Sequence, residues 1–288
     1  MSIAKSAVEY AEMIKLGHTL FALPFAFSAL ALAYICGYNF TPDKFVWVTL
    51  AFAGARSAAM GFNRIADAAI DAKNPRTKDR ALCVNKISKS HAAIFVVISA
   101  ILMVLSAYML NKLCFILSFP ALIVLFGYSY CKRFTSLSHF VLGVALALAP
   151  IGAWIAFTGS FSPRILTLAF ALFFQISAFD IIYALQDEDF DRSNKLHSIP
   201  ARFGKKNSLN ICFALFLAAI LMHFLTGAIF ELNYFYYVCA ALISSIYLVG
   251  FFIFARAGLQ KINLVFFYMN ALCSILIMLA PLPQAIMK

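Results

Sequence analysis

Two short runs of carboxylates carry the chemistry that this sequence offers most plainly. The first is Asn63-Arg64-Ile65-Ala66-Asp67-Ala68-Ala69-Ile70-Asp71, with Asn63, Asp67 and Asp71 spaced i, i+4, i+8. On a helix such residues form one slowly drifting stripe. The second is Tyr183-Ala184-Leu185-Gln186-Asp187-Glu188-Asp189-Phe190-Asp191, where Asp187 and Asp191 are again i and i+4. Like charges at that spacing destabilise a helix slightly, so two such pairs ask for a compensating cation. Hard carboxylate oxygens suit Mg²⁺, which keeps several waters and bridges one or two carboxylates to phosphates. A diphosphate flanked by both pairs fits that chemistry, with Mg²⁺ neutralising it as a leaving group. One such pair alone reads as a solvated helix end. Two pairs, each followed by a Lys/Arg-rich segment, argue for a site.

Two further charges extend the pattern. Asp180 lies seven residues before Asp187 and eleven before Asp191; Arg56 lies seven before Asn63 and eleven before Asp67. On regular helices both fall on the stripes of their motifs, about 10 Å further along the axis. Ionisable residues at that depth in an apolar span mark function by default. Arg56 and Asp180 either pair with each other, or Arg56 receives a carboxylate bidentately while Asp180 orients or deprotonates a phenol.

The elements that must position these residues are membrane helices. The 288 residues are 64% hydrophobic and only 12% charged, against about 25% charged in a soluble domain. Nine apolar stretches of roughly the ~20 residues needed to span lipid run over about 17–38, 44–66, 90–110, 114–131, 139–158, 164–186, 208–228, 234–256 and 262–283. Two-residue periodicity is absent, which excludes a barrel and leaves helices as the spanning element. The expected fold is therefore an all-α integral membrane bundle. It is read as a single domain over 1–288, with two similar halves, roughly 1–135 and 136–288, meeting around a shared cavity.

A net charge of +11 could suggest nucleic acid, but the placement of the charges argues for a lipid bilayer instead. With the N-terminus in the cytoplasm, 17 of the 23 Lys and Arg fall on that side and 4 on the other, leaving Arg56 and Arg64 in or at the edge of a span. This is the positive-inside pattern; it puts both acidic motifs at the cytoplasmic face of a multi-pass protein, as in a bacterial inner membrane. The seven cysteines form no C-x-x-C pair and the five histidines no metal spacing, so no disulfide framework or Zn²⁺ site is expected. Residues 1–15 read as an interfacial amphipathic helix with Ile3, Ala7, Tyr10, Ala11 and Ile14 near one face.

Asn63-Arg64-x-x-Asp67-x-x-x-Asp71-x-x-Asn74-x-Arg76-Thr77-x-x-Arg80, together with Tyr183-Ala184-Leu185-Gln186-Asp187-x-x-x-Asp191, resembles the UbiA-type polyprenyltransferase superfamily. The opening Ile14-Lys15-Leu16-Gly17-His18-Thr19-Leu20-Phe21-Ala22-Leu23-Pro24-Phe25 is similar to that family's first helix. The resemblance implies nine transmembrane helices around a central cavity, two cytoplasmic caps and a lateral portal to lipid. It implies Mg²⁺-diphosphate on Asn63, Asp67, Asp71, Asp187 and Asp191, with Arg80 and Arg76 gripping the diphosphate. It implies that Tyr128 and Lys132, spaced i, i+4, face the diphosphate too, and that Arg56 and Asp180 line the acceptor pocket. Asn74 resembles the 4-hydroxybenzoate branch rather than the haem-farnesylating one. The stretch Leu196-His197-Ser198-Ile199-Pro200-Ala201-Arg202-Phe203-Gly204 is similar to a subgroup whose acceptor is a dihydroxynaphthoate. Arg192-Ser193-Asn194-Lys195 departs from the family, replacing a Gly-containing turn before Leu196.

The expected activity is Mg²⁺-dependent transfer of a polyprenyl group from polyprenyl diphosphate to an aromatic acid, 4-hydroxybenzoate or a dihydroxynaphthoate, in ubiquinone or menaquinone biosynthesis. Haem-type or other UbiA-type prenylation is the enzymatic alternative. A cation-coupled transporter is the alternative of another class; it would want acids near mid-membrane and broken helices, whereas these acids cluster at one face.

Overall fold

The computed structural model describes residues 3–288, with side chains described from Val8 onward. Among the described residues nine helical segments are long and apolar enough to cross a membrane: Leu16–Ile35, Pro42–Asp71, Lys89–Leu110, Lys112–Arg133, Ser138–Thr158, Pro163–Ser193, Ile199–Ile229, Tyr234–Lys261 and Asn263–Ile286. The number equals that read from hydropathy, because a chain in lipid must satisfy its backbone groups within each span. The bounds differ where polar helix ends continue past the apolar run. The second span extends five residues beyond the expected 66, carrying Asp67 and Asp71 on unbroken helix.

Two compact units divide the chain, Met1–Thr19 with Pro42–Tyr130, and Leu20–Thr41 with Cys131–Lys288. The first contains α1 (Ile3–Met13), α3 (Pro42–Asp71), α4 (Lys89–Leu110) and α5 (Lys112–Gly127). Its main contact is α3 against α4, and small residues allow it. A Cβ built on Gly54 would meet the Met103 nitrogen and the Ser99 oxygen, both backbone atoms of α4, at 2.7 Å. Without a hydrophobic force between helices in lipid, such close backbone approach supplies the association. Gly54→Ala therefore forces the helices apart, an overpacking cost of about 1–3 kcal/mol, seen as a lower thermal midpoint in detergent with Gly127→Ala, where a Cβ meets nothing, as the control.

Residues 72–88 of the same unit fold back as a series of tight turns. Leu82 and Ile87 are buried there with Met13, Ile14 and Ala92, and Tyr10 and Phe95 pack beside them. Tyr10 and Ile14 of the expected interfacial face thus contact protein at the C-terminal end of α1. Ile3 and Ala7 of that face lie outside the residues whose side chains are described.

The second unit contains α2 (Leu23–Ile35), α6 (Ser138–Thr158), α7 (Leu166–Ala184), α8 (Glu188–Ser193), α9 (Ile199–Ile229), α10 (Tyr234–Ala257), α11 (Asn270–Leu279) and α12 (Leu282–Ile286). α7 is its centre, packed on α6 and α9. A fully buried polar network ties these helices together. Gln175 Nε2 donates to Asn270 Oδ1 (2.7 Å) and Ser274 Oγ (3.1 Å), and Tyr247 Oη donates to Gln175 Oε1 (2.5 Å). Polar groups without water must find each other, and this network locks α7 against α10 and α11 five residues before Asp180. A π-helical turn, Asn263–Met269, leads into Asn270, and Gly204, at φ 73°, kinks α9 near its start.

Candidate active site

In the first unit α3 is unbroken, so the stripe expected of Arg56, Asn63, Asp67 and Asp71 exists. Asn63 Nδ2 donates to Asp67 Oδ2 at 2.9 Å. The Asn63 amide is oriented from behind by Arg64, which is buried and donates Nη1 to Asn63 Oδ1 (3.3 Å) and Nε to the Met13 carbonyl (3.1 Å). Arg80 returns from the turns after α3 and meets Asp71 Oδ2 at 2.5 Å. Asn74 sets that return: its Oδ1 accepts the Arg76 N–H (2.9 Å), while Thr77 Oγ1 donates to the Asp71 carbonyl (3.0 Å). Arg76 is exposed beside it.

Lys15 takes a left-handed backbone, φ 51°. Burial and then the guanidiniums of Arg64 and Arg80 push its ammonium below the usual lysine range. A group whose charged form is disfavoured by neighbouring cations gains most from an anion arriving among them. Arg56, half-buried, donates Nε to Thr19 Oγ1 (3.1 Å) and Nη2 to the Lys15 carbonyl (3.2 Å). These two bonds hold its guanidinium at one end of the stripe.

Tyr128 and Lys132 do not share a helix face as the i, i+4 spacing implies. α5 ends at Gly127, and Tyr128–Arg133 form a 3₁₀ segment. At 3.0 residues per turn, positions four apart are rotated by about a third of a turn. Tyr128 Oη lies 4.0 Å from Met60 Sδ on α3, while Lys132 gives its carbonyl to the His197 N–H at 2.7 Å.

In the second unit the regular stripe through Asp180, Asp187 and Asp191 is also corrected. α7 stops at Ala184, and Leu185–Asp187 form a 3₁₀ turn before α8. Gln186 contributes to the break by donating Nε2 to the Tyr183 carbonyl at 3.0 Å, occupying an acceptor of the last helical turn. Asp187 and Asp191 are not a solvated helix end: they are 5% and 3% exposed. Asp191 Oδ2 is buried with no hydrogen-bond partner. The chain then closes through Lys195, at φ 55°, which supplies the left-handed turn for which a glycine would be expected. Leu196 N–H returns to the Asp191 carbonyl at 2.8 Å.

Asp180 has a partner that spacing could not reveal. Its Oδ2 lies 2.6 Å from Nδ1 of His139, a residue of α6 with a fully buried side chain. His139 Nε2 accepts the Ile199 N–H, at a long 3.4 Å, which assigns the ring proton to Nδ1 and makes Asp180 its acceptor. Metal-ligand spacing does not single out His139; its signal in the sequence is an ionisable residue at the start of an apolar span. In the sequence Arg64 reads only as a charge in or at the edge of a span and Lys15 as a topology charge; the fold sets Arg64 against Asn63 and places Lys15 near Arg64 and Arg80.

The sequence matches the UbiA prenyltransferase family over residues 22–272. It is 28% identical over 243 residues to a 4-hydroxybenzoate octaprenyltransferase of Psychromonas ingrahamii, covering 83% of each chain. The apo structure of a UbiA homologue from Aeropyrum pernix K1 superposes with a TM-score of 0.84 at 31% identity, covering 92% of this chain and 97% of the other. A UbiA homologue from Archaeoglobus fulgidus, whose structure holds GPP and Mg²⁺, shares the fold at a TM-score of 0.75 and 20% identity, covering 96% and 99%. With nine candidate spans and a family match across most of its length, this chain belongs to the UbiA prenyltransferase family and is a multi-span membrane prenyltransferase.

Proposed function

We propose that this protein transfers a polyprenyl group from its diphosphate to an aromatic acid, 4-hydroxybenzoate or a dihydroxynaphthoate, in the assembly of a membrane quinone, at the cytoplasmic face of the membrane. The observation that carries the reading is the pair of acidic motifs at span ends, one of which keeps a buried carboxylate oxygen, Asp191 Oδ2, with no partner inside the protein. A buried anionic oxygen left unpaired is costly, and a cation brought by the substrate removes that cost.

The donor set fits Mg²⁺. Among the described residues no three His, Cys, Asp or Glu side chains converge into a ready-made cage. Mg²⁺ needs none, since it binds through one or two carboxylates with phosphate oxygens and water. Asp67, Asp71, Asp187 and Asp191, with Asn63 beside Asp67, would hold it. When bound it would neutralise charge on the departing diphosphate. The Archaeoglobus relative, which holds GPP and Mg²⁺, and the relatives named for 4-hydroxybenzoate support the substrate classes.

The chain's own residues supply the rest. Arg80 and the exposed Arg76, which follow the first motif's carboxylates, and Lys15, which lies near Arg64 and Arg80, receive the diphosphate oxygens, as Lys132 and Tyr128 do from the segment after the fourth span's α-helix. Their fixed charges stabilise the leaving group without reorganisation. Arg56 binds the acceptor's carboxylate through its planar fork. Asp180, hydrogen-bonded to Nδ1 of His139, takes or orients the phenol proton, so that the ring carbon ortho to the oxygen attacks the prenyl carbon as its C–O bond to the diphosphate breaks, and a base or water then takes the ring proton.

The test is mass spectrometry of products from purified protein offered both aromatic acids and several prenyl diphosphates, with and without EDTA. Prenylated acid that appears only with a divalent cation supports the reading; prenylation of haem, or of neither acid, overturns it. Arg56→Lys gives a second check. Lys lacks the bidentate fork, and losing a partner of a desolvated charge costs about 2–5 kcal/mol. The acceptor KM should therefore rise more than about tenfold, with the KM for prenyl diphosphate little changed.

A further inference from the structure

A concave surface with a volume of about 420 Å³ opens in the second unit, lined by Thr135, Ser136, Arg192, Lys195, His197 and Arg202 among others. None of these side chains takes part in the proposed reaction. The surface is built from three pieces of chain at the ends of successive candidate spans, on one side of the bundle. They are the connection between the fourth and fifth candidate spans, the end of the sixth span with its following turn, and the first turn of the seventh. Asp187 and Asp191 are buried and do not line it.

Its electrostatics are lopsided. Arg192 is engaged by Glu188 at 2.9 Å. Lys195 is exposed and held in its left-handed turn, with no ion-pair partner among the described residues. Arg202 donates Nη1 to the buried Ser136 hydroxyl at 3.3 Å and stacks over Phe203, 5.2 Å from the ring centroid. That posture fixes one edge of the guanidinium and leaves other N–H groups for an acceptor. No acid lines the surface.

Beside this polar floor stand large apolar side chains turned outward: Phe134 is 68% exposed, Leu137 54% and Phe203 44%. On a soluble surface that would be an adhesive patch. At the end of membrane spans it matches a molecule with an anionic head and hydrocarbon tails, since basic pockets between helices on the cytoplasmic side take acidic lipid headgroups. We propose that this surface binds the phosphate of an anionic phospholipid, with Lys195 and Arg202 on the phosphate and Phe134, Leu137 and Phe203 against the chains.

The experiment uses the full-length protein in detergent at low ionic strength. Phosphatidylglycerol, phosphatidylcholine and inorganic phosphate are added separately, and bound lipid and thermal midpoint are read by native mass spectrometry and thermal shift. Wild type should retain phosphatidylglycerol and gain stability from it, with little response to phosphatidylcholine. Lys195→Gln/Arg202→Gln should weaken that binding about 25-fold, at about fivefold per basic side chain near the surface. The matched double variant Lys205→Gln/Lys206→Gln removes the same charge from exposed positions outside the surface and should keep it. Equal loss in both double variants means diffuse surface charge and overturns the proposal, as does undiminished binding in the first. A response to inorganic phosphate as large as that to the lipid, lost in the first variant, overturns the lipid assignment in favour of a free anion. Lys195→Gln alone, at an exposed side chain, gives the same reading at about fivefold should the double variant fold poorly.

Discussion

Asp191→Ala lowers prenyl transfer by at least about 100-fold, the scale of removing one preorganised electrostatic stabiliser of a leaving group, and does so without destabilising the protein. The second half of that expectation carries the argument. Asp191 Oδ2 has no hydrogen-bond partner inside a buried site. Deleting the carboxylate therefore removes an uncompensated burial cost rather than a contact, and the thermal midpoint without metal should hold or rise. Asp71→Ala behaves differently. It strips Arg80 of a partner at 2.5 Å, so activity and stability fall together. EDTA should abolish turnover in wild type, and Mg²⁺ should restore it and raise the midpoint of wild type but not of Asp191→Ala. Full turnover in EDTA, or an Asp191→Ala protein that is unstable yet active, would sink the metal-diphosphate reading.

That contrast between two aspartates of one sequence pattern shows where the sequence was legible. The nine spans could be read because lipid leaves the backbone no alternative to closed hydrogen bonding. The Arg56–Asn63–Asp67 stripe could be read because α3 runs unbroken from Pro42 to Asp71. The same arithmetic failed for Asp180, Asp187 and Asp191, where a 3₁₀ turn at Leu185–Asp187 interrupts the helix. It failed again for Tyr128 and Lys132, which lie on 3₁₀ rather than α-helix. Periodicity assumes a winding, and a local side-chain bond such as Gln186 to the Tyr183 carbonyl changes the winding without changing the composition. Partners far apart in the chain were out of reach altogether. His139 and Asp180 are 41 residues apart and Arg64 and Met13 are 51, and neither distance leaves a mark on local spacing.

His139→Phe is the sharpest test of a residue found only through the fold. Phenylalanine fills a similar space but offers no N–H to Asp180, leaving a carboxylate with 23% of its side chain exposed to face its site without its 2.6 Å donor. Truncating one partner of a hydrogen-bonded buried charge costs about 2–5 kcal/mol, so kcat should fall about 30-fold or more. The KM for prenyl diphosphate should stay near wild type, because the loss lies on the acceptor side. His139→Asn keeps an N–H close to the position of Nδ1 and should recover much of kcat. A residue that merely packed α6 against α7 would give another pattern: lower thermal midpoint, unchanged kcat per folded molecule, and no advantage of Asn over Phe. The double variant decides between acting through Asp180 and acting independently. If His139 works by holding Asp180, then Asp180→Asn/His139→Phe costs no more activity than Asp180→Asn alone, since coupled residues are non-additive. Losses that multiply would mean that His139 serves the reaction by another route, through its Nε2 contact to the Ile199 N–H and the segment that follows the second acidic motif.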